Sequence, residues 1–261
     1  MGDRPLSTAE PPILETKGVT KTFGGIRAVD NCTLAIRAGE ITGLIGPNGA
    51  GKTTLFNIIA GLYAPESGSI SLRGERIDGR PPFEIVEKGI VKTFQIPREF
   101  RNLTVLENLM VAAPGHPGER PLAALIGWRR VWDREDEIRK KALEVLSLVE
   151  LDRLSDAYAN ELSGGQKKLL ELARTLMVDP KVVLLDEPVA GVNPTLTGKL
   201  LRTIEELRDK GSTFFMIEHD MDVVMKRCDR VIAMHQGRPI AEGKPEDVRQ
   251  DQRVMEAYLG G

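Results

Sequence analysis

The sequence predicts an α/β fold with a mostly parallel sheet, an antiparallel β subdomain toward the N-terminus and an inserted α-helical subdomain. Three observations carry that expectation. The apolar run Ile41 to Ile45, the glycine-rich stretch Gly46 to Thr54 and the helix-like run Leu55, Ile58, Ile59 read as strand, loop and helix start. Val182 to Leu185 and Thr213 to Ile217 are short apolar runs, as strands buried on both faces must be. Ile13 to Phe23 and Ala28 to Ile36 instead alternate apolar with polar residues, the pattern of half-buried antiparallel strands.

Composition bounds the answer. With 261 residues and 41% apolar content, the chain can bury a large core in one domain with a subdomain. Residues 1–12 are polar and proline-bearing and read as a loose tail. Residues 13–261 read as one domain, with 13–95 and 180–261 forming the core and 96–179 the largely helical part. A net charge of −2 argues against wholesale nucleic-acid binding, and no nucleic acid is expected as a partner. Cys32 and Cys228 form no CxxC pair, which points to two buried thiols in a reducing compartment. No apolar run approaches the roughly 20 residues that span a bilayer, so a soluble, cytoplasmic protein is expected.

After the glycine-rich loop, Thr53 to Ala60 continues as a helix that Gly61 ends. Pro65 to Gly68 is a turn, Ser69 to Leu72 a short strand, Pro82 to Lys88 a short helix, and Ile90 to Phe94 a strand ending at Gln95. Thr104 and Glu107 form a capping box at the next helix. Between Pro114 and Pro121 the composition shifts to Pro, Gly and charge, marking an excursion. Asp133 to Val149 is an amphipathic helix; Trp128 and Trp132, around Arg129 and Arg130, read as packing for a helical subdomain. Thr195 to Lys210 is a helix capped by Gly211, Met234 to Ile240 a hairpin, and Pro245 to Leu259 closing helices.

Gly46-Pro47-Asn48-Gly49-Ala50-Gly51-Lys52-Thr53-Thr54 carries the first chemistry. Its glycines let successive backbone N–H groups face an anion at a helix N-terminus. Lys52 supplies an ammonium for the outer phosphates, and the Thr53 hydroxyl suits a hard cation bridging them. The ligand implied is a nucleoside triphosphate with magnesium.

Four further features surround that reading. Leu162-Ser163-Gly164-Gly165-Gln166 has a capping box in Ser163 and Gln166, but a cap does not explain two glycines in a first helical turn. Bare backbone there suits a second phosphate-facing surface. Val182 to Glu187 ends an apolar strand in two carboxylates, with Asp186 placed to hold magnesium and Glu187, diverging by strand alternation, placed to activate water. Phe23, at a strand end before Gly24-Gly25, can stack on a base or edge the core, and spacing does not choose. Of three histidines, His219 follows a strand where its imidazole can reach a γ-phosphate, whereas His116 and His235 read as solvated.

Gly46 to Thr54, Gln95, Leu162 to Gln166, Val182 to Glu187 and His219 occur in the order and spacing of ATP-binding-cassette ATPases, and the chain from Ile13 onward resembles that family. The resemblance implies the cassette ATPase fold on a phosphate-loop core, ATP and Mg2+ as cofactors, and a head-to-tail pair of ATPase subunits. In that pair, Ser163 and Gly165 face the γ-phosphate held by the partner's Lys52. By the same resemblance Phe23 stacks on the base, Gln95 senses metal and water and links to the transporter, and Glu187 is the general base. Asn193 stands where the family usually has an aspartate contacting the opposite subunit.

The segment 114–137, Ala190 to Pro194, Ile217 to Met221 and Ala257 to Gly260 resemble, more narrowly, the ATPase subunits of branched-chain amino-acid importers. Permease subunits and, indirectly, a periplasmic or extracellular solute-binding protein are then the implied partners. The implied location is the cytoplasmic face of the membrane. Cassettes for urea or amide import and for lipopolysaccharide export share much of this pattern. A cassette for DNA repair or translation usually carries a coiled-coil insertion or two cassettes per chain, and neither is seen. A phosphate-loop kinase or GTPase leaves Leu162 to Gln166 unexplained.

Overall fold

A computed structural model describes residues 11–93, 99–115 and 128–259. The chain forms two sheets. The first runs β2-β1-β4-β5, all antiparallel, from β1 (Leu14–Phe23), β2 (Ile26–Ile36), β4 (Ser67–Leu72) and β5 (Glu75–Arg76). The second has the order β10-β9-β3-β8-β7-β6. Its members are β3 (Ile41–Ile45), β6 (Ile90–Lys92), β7 (Val182–Asp186), β8 (Thr213–Ile217), β9 (Arg230–His235) and β10 (Arg238–Gly243). Within it only the β9–β10 pairing is antiparallel.

The apolar runs behave as a doubly covered sheet requires. Val183, Leu185, Phe214 and Met216 enter one core, while Val182, Leu184, Phe215 and Ile217 enter the other. Alternation along each strand thus feeds both layers, and a run with no polar position is the result. The second core lies between the two sheets and α1 (Lys52–Ile59), where Phe56 and Phe215 rings sit 4.8 Å apart. The first is closed by helices: α3 (Val105–Ala112), α4 (Trp128–Leu148) and α5 (Gly164–Leu176) pack on one another, and α6 (Pro194–Asp209) packs on α5. Three shorter helices, α2 (Pro82–Lys88), α7 (Met221–Arg227) and α8 (Pro245–Gln250), and the closing α9 (Gln252–Leu259) complete the described elements.

Local signals place most boundaries. Gly61 ends α1 with φ of +74°, its N–H bonded to Ile58 O at 3.1 Å. The Thr104–Glu107 capping box is closed in both directions, at 2.7 and 3.2 Å. Two ends move. Residues 128–132 extend α4 ahead of the Asp133 start, because nothing in Trp-Arg-Arg-Val-Trp stops a helix. The β4 strand starts at Ser67 and pairs with an unforeseen two-residue β5, since a pairing that short leaves no periodicity to read. His235 is also not a solvated turn residue: it ends β9, half-buried, with its Nδ1 enclosed. His116 and the tail through residue 10 lie outside the described residues, as do the side chains of Trp128 and Trp132.

Both thiols are free and buried, and burial pushes each up to about 12. Neither Cys32 nor Cys228 should therefore react with a thiol reagent at pH 8 in the native protein, and both should react once it is unfolded. A titration with Ellman's reagent with and without denaturant checks this.

Candidate nucleotide site

The site is set by strands that end level. Ile217 is in register with Asp186 on one side, and Leu44 is in register with Ile217 on the other. The loops leaving β3, β8 and β7 therefore open at one edge, the carboxyl end of a parallel sheet, where α/β proteins bind ligands.

From β3 the chain enters the glycine loop. At Gly46 a Cβ would stand 2.1 Å from Met234 O, and at Gly51 it would stand 2.1 Å from Ala28 O, so both positions admit only hydrogen. Gly51 (φ +98°) caps α1 without a side-chain hydrogen bond, and the first turn holds no acidic residue. The first N–H groups of α1 are thus free of side-chain caps, as an anion requires. Lys52 is 6% exposed and donates to Gly46 O at 2.7 Å and Pro47 O at 3.0 Å. Burial lowers its pKa, while the Glu187 and Asp186 carboxylates act to raise it. Pro47 is half-buried, Asn48, Gly49 and Thr53 are exposed, Ala50 is buried and Thr54 is half-buried.

Asp186 ends β7 at 2% exposure. Its Oδ2 lies 3.1 Å from Lys92 Nζ, which also donates to Asn57 Oδ1 at 2.8 Å. Its Oδ1 is buried without a hydrogen-bond partner. A hard cation, or water bound to one, would satisfy that oxygen, so the residues fit a magnesium ion held mostly by phosphates and water. Among the described residues no cluster of three or more His, Cys, Asp or Glu could hold a metal alone, which suits the same arrangement.

Strand alternation does not set the direction of Glu187. It lies beyond β7 with φ of +51°, and that left-handed turn redirects its side chain. His219 Nε2 meets Glu187 Oε1 at 3.1 Å. Between them in function sits a residue the motifs did not reveal. Glu218 is 3% exposed, and its carboxylate accepts from Val189 N–H and His219 N–H, each at 3.2 Å. Burial raises its pKa, opposed by those N–H bonds and reinforced by the Glu187 charge. The motifs assign no role to Lys92, Lys168 or Glu218, although a charged residue within or just past a buried strand is a signal for Lys92 and Glu218.

The glycine signature opens α5. Ser163 Oγ accepts from Gln166 N–H at 3.4 Å and Ser163 N–H donates to Gln166 Oε1 at 2.9 Å, so the capping box is present. The two glycines have separate reasons. A Cβ on Gly165 would lie 2.6 Å from Leu196 Cδ1, 3.0 Å from Val192 Cγ1 and 3.1 Å from Leu196 Cβ, so these side chains would have to give way, and intrachain packing favours glycine there independently of any phosphate. A Cβ on Gly164 meets nothing within 4 Å. Its exposed backbone alone keeps the open surface that a phosphate needs. Asn193 caps α6, accepting from Leu196 N–H at 3.0 Å, a task an amide does as well as a carboxylate. Phe23 is 42% exposed, meets Tyr63 edge to face at 5.2 Å and carries the Lys21 ammonium over its ring, 5.5 Å from the centroid. Gln95 lies outside the described residues.

A doubly wound sheet with a glycine loop, an uncapped helix start and carboxylates on neighbouring strand ends defines a phosphate-loop nucleoside triphosphatase. The family follows from comparison. The ABC transporter family model matches residues 29–190, and the model for the branched-chain amino acid ATP-binding cassette transporter matches residues 238–261. The chain is 44% identical to a probable branched-chain amino acid transport ATP-binding protein LivG of Archaeoglobus fulgidus, covering 95% of each. It is 42% identical to the high-affinity branched-chain amino acid transport ATP-binding protein BraF of Pseudomonas aeruginosa, covering 95% of this chain and 98% of that one. A solved ATP-binding cassette of an ABC transporter in its ADP conformation superposes with a TM-score of 0.83 at 40% identity, over 95% and 99% of the two chains. A dimeric post-hydrolysis cassette bound to ADP and phosphate gives 0.72 at 28% identity, over 89% and 98%. The chain belongs to the ABC transporter family, as an ATP-binding, ATP-hydrolysing subunit with the cassette fold.

The two signature glycines should separate in experiment. Gly165→Ala should lower stability by about 1–3 kcal/mol through overpacking. Gly164→Ala should be about as stable as the parent, since a Cβ there meets nothing within 4 Å, yet hydrolyse ATP more slowly. Thermal unfolding and phosphate release read the two effects.

Proposed function

We propose that this chain energises import of branched-chain amino acids, working as one of a head-to-tail pair of ATPase subunits bound to membrane permeases. The observation that carries the chemistry is the convergence of Lys52, Asp186 and Glu187, with His219 on Glu187, at the level ends of β3, β7 and β8. The solute assignment rests on the relatives' names and on the match over residues 238–261.

In this reading Gly46 to Thr54 cradle the triphosphate, and Lys52 exchanges its loop carbonyls for β- and γ-oxygens. Phe23 stacks on the base. Asp186, Thr53 and Gln95 would hold a magnesium ion, which would supply charge neutralisation on the phosphates. The Glu187 carboxylate takes a proton from water as the water oxygen bonds to the γ-phosphorus; the bond to the bridging oxygen breaks and its electron pair leaves with ADP. His219, donating from Nε2, orients Glu187. Ser163, Gly164, Gly165 and Gln166 close the site of the opposite subunit, so that binding ATP assembles two sites at once. The dimeric ADP- and phosphate-bound neighbour supports that pairing.

Attachment to the membrane is through permeases in this reading; no described helix is long and apolar enough to cross one. A groove of about 400 Å3 with an apolar wall of Val86, Val91, Phe100, Ala112 and Val178 and a polar wall of Lys92, Glu171, Arg174 and Thr175 lies between the sheet and the helices that follow it, and it suits an amphipathic permease segment. The solute-binding protein would act on the far side, out of contact with this chain.

Glu187→Gln should bind ATP with unchanged affinity and lose hydrolysis by at least about 100-fold, as removal of a general base predicts. Single-turnover phosphate release measures it, and near-normal turnover would eliminate Glu187 as the base. Phe100 is 45% exposed in the groove. Phe100→Asp should leave ATP binding intact and release the chain from membranes. Co-purification reads this; recovery with ribosomes or DNA instead of permeases would overturn the transport reading.

A further inference from the structure

Glu187 holds a backbone conformation, φ +51°, that residues with a side chain rarely adopt unless their surroundings impose it. The surroundings are specific. Its N–H donates to Ile217 O at 3.0 Å, which ties it to β8. Its carbonyl accepts from Ala190 N–H at 3.2 Å and from the Lys168 ammonium at 2.8 Å. Two residues on, Val189 N–H donates to the buried Glu218 carboxylate.

Lys168 is the contact that crosses between layers. It lies on α5, five residues after Ser163, on the helix whose first turn carries the glycine signature. Its side chain runs inward beside a small enclosed space walled by Thr93, Leu172, Leu185, Pro188 and Leu200, and ends on the Glu187 carbonyl. Burial lowers its pKa, and the Glu171, Glu218, Glu187 and Asp186 charges act to hold the proton on. A lysine free to extend into water has taken a part-buried backbone carbonyl instead, which costs desolvation and rotamer freedom.

We propose that Lys168 is a positioning residue that locks the backbone of Glu187 and couples it to the signature helix of the same subunit. The inference rests on the reading of Glu187 as base and of the signature as the opposite subunit's phosphate surface. A nucleotide bound across the dimer pulls on the first turn of α5. Lys168 then passes any tilt of that helix to the peptide that aims the base in the other site, so each subunit senses the ligand its partner holds.

The test uses the full chain. Lys168→Met keeps the apolar stem and removes the ammonium, whereas Lys168→Arg keeps a donor. Lys168→Met should bind Mg-ATP normally and lower kcat by about 10- to 100-fold with little change in KM, the scale of a misplaced catalytic group. Lys168→Arg should recover most of that loss. Amide exchange should accelerate at residues 187–190 in Lys168→Met while β7 stays protected, which separates a freed loop from a damaged fold. In a Ser163→Ala background the lysine change should add no further loss, because both lie on one line of coupling. Wild-type kcat or unaltered exchange in Lys168→Met overturns the positioning role, and losses that multiply with Ser163→Ala overturn the coupling. Failure of the underlying reading shows separately, as normal turnover by Glu187→Gln.

Discussion

Leu44, Ile217 and Asp186 lie side by side in neighbouring parallel strands, and that alignment governs the rest of the molecule. Each strand delivers its loop to one edge. The glycine loop brings Lys52, β7 brings Asp186 and Glu187, and β8 brings Glu218 and His219. A slip of one residue in any pairing would turn the buried strand side chains to the wrong core and move its loop off the site. The two cores on either face of the sheet therefore specify the register that the chemistry uses.

Charge is the second constraint. Lys52, Lys92 and Lys168 face Asp186, Glu187 and Glu218 in a poorly solvated region, where unpaired ions are expensive. Partial pairing settles most of them and leaves a few capacities open. Asp186 Oδ1 and the first-turn N–H groups of α1 are such open capacities, one suited to a cation and the other to an anion. A magnesium nucleotide presents both together, so one ligand satisfies an acceptor and donors that the protein leaves unfilled.

Legibility tracked locality. Gly46 to Thr54, the capping boxes at Thr104 and Ser163, and the apolar strands were all readable, because a strand period, a cap or a glycine spacing is a property of a few consecutive residues. The resemblance to cassette ATPases added the cofactors and the family, and the comparisons bear both the family and the nucleotide out. Gly165 shows the limit. Its place in the signature suggests a phosphate, yet Leu196 and Val192, about thirty residues on, favour the same glycine by contact. Two causes had produced one residue, and sequence alone cannot weigh a contact it does not display.

What the sequence by itself determined is the set of parts: the strands, the helices, the phosphate loop and the residue types able to hold and cleave a triphosphate. The tertiary structure alone decided how those parts meet. It turned Glu187 through a left-handed backbone step rather than strand alternation, put the buried Glu218 between His219 and the segment after Glu187, and set Lys92 on Asp186 and Lys168 on the Glu187 carbonyl. The physical reason is separation along the chain. Local propensities act over a helical turn or a strand pair, whereas the contacts of Lys168, Glu218 and Lys92 with Glu187, Val189 and Asp186 join residues 19 to 94 positions apart, and the Glu187 turn is held by such contacts.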